Sequence, residues 1–193
     1  ATLYSWNDAD ELLELKSPNS TLQYQYDDKG QLVEESQNDQ VIRYEYDQRG
    51  YRTARHILPT PWLKDAETLT THYQYDDNGQ LIEVTLPEQQ PLQLRYDADG
   101  NLIQQSTDSG YMNHQQVDAK GRIAQQKIGR QNDYGLEDTG FSESDSPYYA
   151  FIARDYRYDA VDNLLECSTS GEQTNWAYDA NNQITEHQTP FAT

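Results

Sequence analysis

Apolar and polar residues alternate along most of this chain with a period of two. Leu22, Tyr24 and Tyr26 alternate with Gln23 and Gln25; Ile42, Tyr44 and Tyr46 with Arg43 and Glu45; Leu92, Leu94 and Tyr96 with Gln93 and Arg95. A strand sends successive side chains to opposite faces, so these runs predict short strands with one aromatic-aliphatic face and one polar face. Each run stops at nearly the same phrase, YDDKGQ at Tyr26, YDQRGY at Tyr46, YDDNGQ at Tyr75 and YDADGN at Tyr96. Apolar pairs such as Leu32-Val33, Leu81-Ile82, Leu102-Ile103 and Leu164-Leu165 then open a second strand. Half a period later comes another turn signal: Pro18-Asn19, Asn38-Asp39, Pro87 to Pro91, Ser109-Gly110 or Ser170-Gly171. Two turns per unit predict an all-β chain of tandem antiparallel hairpins, a meander. Asp8 to Lys16 would pass for a helix in isolation, but Leu12 falls at the position after the turn where the other copies have an aliphatic or, in one case, Arg52.

Aligned as aromatic, Asp, two free residues, Gly, one free residue and an aliphatic, the phrase has weaker copies. They start at Trp6, Val117, Tyr158 and Tyr178. The eight starts, at 6, 26, 46, 75, 96, 117, 158 and 178, define a period near 20 with two insertions, the mark of a repeat architecture. Asp followed three places later by Gly predicts a type I turn closed by a left-handed residue. The positions are Asp27 and Gly30, Asp47 and Gly50, Asp76 and Gly79, Asp97 and Gly100, and Asp118 and Gly121. The remaining copies have Asp159 with Asp162, Asp179 with Asn182, and Asp10 in the first. Asp and Asn are the residues after Gly that best tolerate positive φ, and no copy places a β-branched residue there. The insertions fall near 59–66, whose two prolines exclude a central strand, and at 131–147. The second is either a long loop or a decayed ninth repeat with LEDTG at Leu136 standing for the motif. The whole of 1–193 reads as one repeat segment of something longer, since residue 1 is Ala and not an initiator Met.

Composition narrows the function. The chain has 16 Tyr against 3 Phe, so much of its apolar surface carries a hydroxyl, which suits an amphipathic sheet better than a thick core. Its net charge of -19, with no basic run, argues against nucleic acid or an anionic membrane as partner, because phosphates are repelled at long range. No apolar run reaches membrane-spanning length. One cysteine, Cys167, allows neither an internal disulfide nor a cysteine-built zinc site.

No catalytic, cofactor-binding or metal-binding residue stands out. Adjacent carboxylates such as Asp27-Asp28 and Asp76-Asp77 sit at turn positions written many times over, which a catalytic pair does not require. DDNG at Asp76 and DADG at Asp97 do not match the spacing of a calcium loop. Cys167 with His56, His72, His114 or His187 is the one nucleophile and base set available; no flanking motif supports it, and Cys167 reads as a small buried hydrophobe on a strand. Asn19-Ser20-Thr21 matches a glycosylation sequon in a turn. The tyrosines allow two readings: a ladder holding repeat to repeat, or a face that stacks on sugars, as in a carbohydrate-binding or adhesion module.

Tyr-Asp, two residues, Gly and an aliphatic at a period near 20 resembles the RHS or YD repeat family, in eight copies over nearly the whole chain. The resemblance implies a segment of a very large protein whose hairpins coil into a solenoid-like hollow shell. In bacterial Rhs polymorphic toxins and the B and C components of Tc toxin complexes such a shell encloses a C-terminal toxic domain; teneurins are the animal branch. It further implies export to the outside of the bacterial cell, no enzymatic role and no cofactor. The implied partners are neighbouring repeats of the parent chain and an enclosed toxin domain, with no membrane insertion by this segment and glycan as the alternative ligand. The Asp-Pro motifs of self-cleaving shell ends do not occur here.

Overall fold

The computed structural model describes residues 1–63, 65–131, 148–169 and 171–190. Residues 132–147 of the second insertion, Lys64 of the first and Ser170 of the last turn signal lie outside the described residues. The chain divides into two compact units, Ala1–Pro91 and Leu92–Thr193.

The first unit is an antiparallel meander of β1 (Leu3–Trp6), β2 (Leu12–Ser17), β3 (Ser20–Tyr26), β4 (Leu32–Gln37), β5 (Gln40–Tyr46), β6 (Arg52–Ile57), β7 (Leu69–Tyr75) and β8 (Leu81–Thr85). Every strand pairs with the next in sequence. The second unit repeats the plan with β9 (Leu92–Tyr96), β10 (Leu102–Thr107), β11 (Tyr111–Val117), β12 (Ile123–Gln131), β13 (Tyr148–Tyr158), β14 (Leu164–Thr169), β15 (Glu172–Tyr178) and β16 (Ile184–Gln188). These strands also pair consecutively and antiparallel. No helix occurs among the described residues.

Register explains the apolar pairs that open each second strand. Gln25 faces Glu34 but Tyr26 faces Leu32, so Val33 is an extra residue with no partner opposite. The same bulge recurs where Glu45 faces Ala54 and Tyr46 faces Arg52, where Gln74 faces Glu83 and Tyr75 faces Leu81, and where Arg157 faces Glu166 and Tyr158 faces Leu164. One unpaired residue shifts the two-residue alternation by a step. Residues opposite one another share a face, so Leu32 stands with Tyr26 while Glu35 stands with Tyr24. A doublet such as Leu32-Val33 is therefore the imprint of a bulge.

The interior is thin. Among the described residues Ala54, at 2% exposure, is the only buried hydrophobe, joined by Thr71 and Asn113. Most strand residues are half-buried by neighbours in their own sheet. Cohesion therefore comes from strand-to-strand ladders and repeat-to-repeat contacts, as in other quasi-one-dimensional repeat proteins. In the first insertion, Leu58 donates to the Val41 carbonyl (3.0 Å) and Gln40 Nε2 to the Leu58 carbonyl (2.9 Å), and Trp62 and Leu63 stand exposed beyond them.

Candidate functional site

The residues that repeat most regularly lie in the turns. Asp27 Oδ1 accepts the backbone N–H groups of Lys29 (2.8 Å) and Gln31 (2.9 Å), and Gly30 N–H donates to the Asp27 carbonyl (3.0 Å). Asp47, Asp76, Asp97, Asp118, Asp159 and Asp179 each hold the corresponding pair of amides. In the first repeat the amide oxygen of Asn7 does the same for Ala9 and Glu11, so the turn requires an acceptor oxygen and not a charge. The closing residues Asp10, Gly30, Gly50, Gly79, Gly100, Gly121, Asp162 and Asn182 all lie at φ from 60° to 90°.

Several of these carboxyls are held below the ordinary aspartate range. A side-chain hydrogen bond from Asn101 is the main cause at Asp97, and one from Arg122 at Asp118. At Asp162 it is the Lys120 ammonium. At Asp47 and Asp159 desolvation pushes upward, and hydrogen bonds from Tyr51 and Arg49, and from Asn163 and Val161, outweigh it.

The position after each left-handed residue, free in the sequence pattern, is occupied in a specific way. In several repeats its side chain reaches the turn of the next one. Gln31 Nε2 donates to the Gly50 carbonyl (3.3 Å), and Asn163 Nδ2 to Asn182 Oδ1 (3.0 Å). Arg122 spans from Asp118 to the Asp159 carbonyl (3.1 Å) and Asp162 Oδ1 (2.6 Å), with Lys120 bonding Asp162 and the Ala160 carbonyl beside it. Tyr51 stacks on Tyr75 with ring centroids 5.0 Å apart and lies against Gly79, where a Cβ would come within 2.1 Å of its hydroxyl oxygen. Gly79 is thus required twice, by its φ of 83° and by this close approach.

The motif tyrosines form a second inter-repeat contact. Tyr26 donates its hydroxyl to the Leu12 carbonyl (3.1 Å), Tyr46 to Leu32 (2.7 Å), Tyr158 to Ile123 (3.0 Å) and Tyr178 to Leu164 (2.9 Å). Each acceptor is the first residue of the bulged strand in the preceding repeat. Phe would fill the same space without this bond, which accounts for Tyr at these four positions. Burial raises the Tyr26 and Tyr158 phenols above their ordinary value.

No catalytic arrangement emerges among the described residues. The turn carboxylates point their acceptors at backbone amides, and an open groove of 560 Å³ between two turns is lined by Asp97, Asp99, Asn101, Asp118 and Lys120. Cys167 stands opposite Tyr156 and Thr174 and is half-buried where the sequence suggested a buried hydrophobe, because among the described residues no second layer covers this sheet. The histidines are dispersed. His56 bonds Thr70 and Glu45, His187 stacks on Trp176, His72 pairs with Ala54 and His114 with Gln104. No cluster of three or more His, Cys, Asp or Glu fit for a metal occurs among the described residues, and Asn19 of the sequon is exposed in the turn between β2 and β3.

Comparison with known proteins agrees with this geometry. The RHS Repeat family profile matches residues 75–111. No curated protein matches the chain in sequence. Among solved structures, a crystal structure of TcdB2-TccC3-TEV aligns over 95% of the chain at 19% identity and a TM-score of 0.67, and one of TcdB2-TccC3 over 95% at 16% identity and 0.55. At these identities the likeness is one of fold. The chain spans about a tenth of the length of the chains it matches, 10% of the first and 12% of the second. The turn and bulge geometry of the matched segment, which is similar to the RHS Repeat, recurs on either side of it.

Proposed function

We propose that this chain is a non-catalytic stretch of container wall, part of a hollow shell that encloses a toxin domain within a large exported bacterial protein. The observation that carries this reading is where the repeated polar groups are spent. Turn carboxylates hold their own backbone, Gln31, Arg122 and Asn163 after the left-handed positions hold the next turn, and four motif tyrosines hold the preceding repeat. A surface built for a soluble ligand leaves some of its repeated groups unspent, whereas a wall uses them for cohesion. The likeness in fold to TcdB2-TccC3 structures supports the assignment to a shell.

A glycan array, followed by two-dimensional NMR titration with any hit, tests the reading. A wall gives no saturable binding up to about millimolar concentration, the weak end of specific affinity. Saturable binding to one sugar class, lost on Tyr73→Ala or Tyr156→Ala and kept when turn residues change, overturns it in favour of an adhesion module.

A further inference from the structure

Two joints of the sheet keep their register without the tight turn that sets it elsewhere. Where successive hairpins meet through a two-residue turn, the closing pairs are Ser17 with Ser20, Gln37 with Gln40 and Thr169 with Glu172. Each pair has the same place in the repeat, five residues after the start of the bulged strand and six before the motif aromatic. At the insertions, residues 58–68 and 129–151 stand where the regular joint has two. Ile57 nevertheless faces Leu69 and Ile128 faces Ile152, the same places in the repeat. A tight turn fixes register through its own geometry, whereas a long connection does not, and a slip of one residue turns every side chain to the other face. Something other than the connection holds these two joints.

The turn at the opposite end of the same strand supplies it. Of the eight motif turns, only DQRGY at Asp47 and DAKGR at Asp118 contain arginine, and they are the two whose next hairpin follows an insertion. Arg49 and Arg122 occupy different positions in the phrase but make the same bonds. Arg49 Nε donates to Asp47 Oδ2 in its own turn (3.1 Å) and Nη1 to the Asp76 carbonyl in the next (2.9 Å). Arg122 Nε donates to Asp118 Oδ2 (2.7 Å) and Nη1 to the Asp159 carbonyl (3.1 Å). Asp76 and Asp159 are the motif aspartates of the following repeats, so the acceptor is the same atom of the phrase. Each guanidinium also lies over a tyrosine ring, Tyr51 at 4.9 Å and Tyr158 at 4.6 Å. The longer insertion has the larger network, in which Arg122 and Lys120 both also bond Asp162 Oδ1 (2.6 and 2.8 Å). At the regular joint between β4 and β5, the neutral amide of Gln31 makes the bridge between turns.

We infer that Arg49 and Arg122 are register locks, each tying two motif turns together at one end of a strand pair so that the sheet accepts inserted chain at the other end without slipping. A guanidinium suits the task because its planar fork reaches two acceptors in fixed directions, which an ammonium does not. Its charge-assisted bonds are also stronger than the amide bridge of a regular joint, and closing a longer connection costs more chain entropy. The lock depends on register alone and holds whatever the sheet encloses.

Amide hydrogen exchange of the full chain, read by NMR, tests it. In Arg49→Gln the amides of β6 and β7 are expected to exchange about fivefold faster, the worth of roughly one net hydrogen bond, with β3 and β4 unchanged. Replacing residues 58–68 by Asn-Gly, which favours a two-residue hairpin, is expected to cancel the effect. In that background Arg49→Gln leaves exchange in β6 and β7 as it was, because the turn now sets the register. Arg122→Gln is expected to accelerate β12 and β13 in the same way, and to lose its effect when Asn-Gly replaces 129–151; this pair carries the test if the Arg49 variant does not fold. Equal acceleration with and without the insertion makes the arginine a cohesive contact unrelated to register and overturns the proposal. Acceleration spread evenly over all strands, or none in either variant, overturns it as well.

Discussion

The single oxygen of the motif tyrosine is the smallest unit of cohesion in this chain. Tyr46 and Tyr24 both lie half-buried on the aromatic face, but only Tyr46 spends its hydroxyl on a carbonyl of the preceding repeat. Tyr46→Phe is therefore expected to cost about 1 kcal/mol, the net worth of a hydrogen bond plus the acceptor it leaves behind. Tyr24→Phe is expected to be near neutral. Urea midpoints compare the two, and equal losses refute the contact. The left-handed turn positions obey a backbone rule instead. Gly100 sits at φ 85°, so Gly100→Val is expected to cost at least ~1–2 kcal/mol, because a β-branched residue is forced into a conformation that L residues avoid. Asp10 sits at φ 60° and is exposed, so Asp10→Gly is expected to be neutral or stabilising by the same assay.

At the scale of the hairpin, turn and bulge work together. The turn fixes where the chain reverses, the bulge shifts which side chains share a face, and the residue after the turn joins one hairpin to the next. The column of turn aspartates makes this joint pH-sensitive. Asp97 and Asp118 lie below the ordinary carboxylate value of 3.8 when folded, so below that value the unfolded chain binds more protons than the folded one. Stability conferred by these groups is present above the unfolded pKa and is lost as pH falls through the folded one. Asp118→Asn keeps an acceptor for the turn, as Asn7 does, but loses the charge that Arg122 pairs with. The variant is expected to show a shallower loss of stability between pH 4 and pH 2, roughly the carboxylate range. Urea midpoints across that range check it, and a slope equal to the parent's refutes it.

At the scale of the whole molecule, the first and last strands each have one paired neighbour among the described residues. β1 pairs only with β2, and its four residues are all exposed, with Leu3 at 66% and Trp6 at 58%. β16 pairs only with β15, is exposed throughout, and carries Ile184 at 60%. Unpaired strand edges with apolar side chains are templates for further strands. The isolated chain is expected to self-associate with rising concentration, and Leu3→Lys with Trp6→Lys to suppress this. Sedimentation velocity decides, and a parent chain that stays monomeric throughout refutes it. Cohesion is local: among the described residues each strand meets its neighbours in sequence, so stability accumulates repeat by repeat.

The alternation of Leu22, Tyr24 and Tyr26 with Gln23 and Gln25, and the return of the turn phrase, determined an all-β meander of hairpins before any coordinate was known. They suffice because strand polarity and positive φ are local constraints satisfied by very few residue types. The doublet Leu32-Val33 was visible in the sequence, but that it marks a bulge was not, since a bulge is defined by register against another strand. The use of the free position after the turn, the need for Tyr rather than Phe at four motif positions, the half-buried state of Cys167 and the unpartnered Nε of Arg52 were likewise settled by tertiary structure alone. Each depends on which atoms meet between different strands or turns, and the bonds between repeats join residues 14 to 40 apart. Local sequence constrains a residue's own backbone and face, and only the stacking of repeats decides what its side chain will find there.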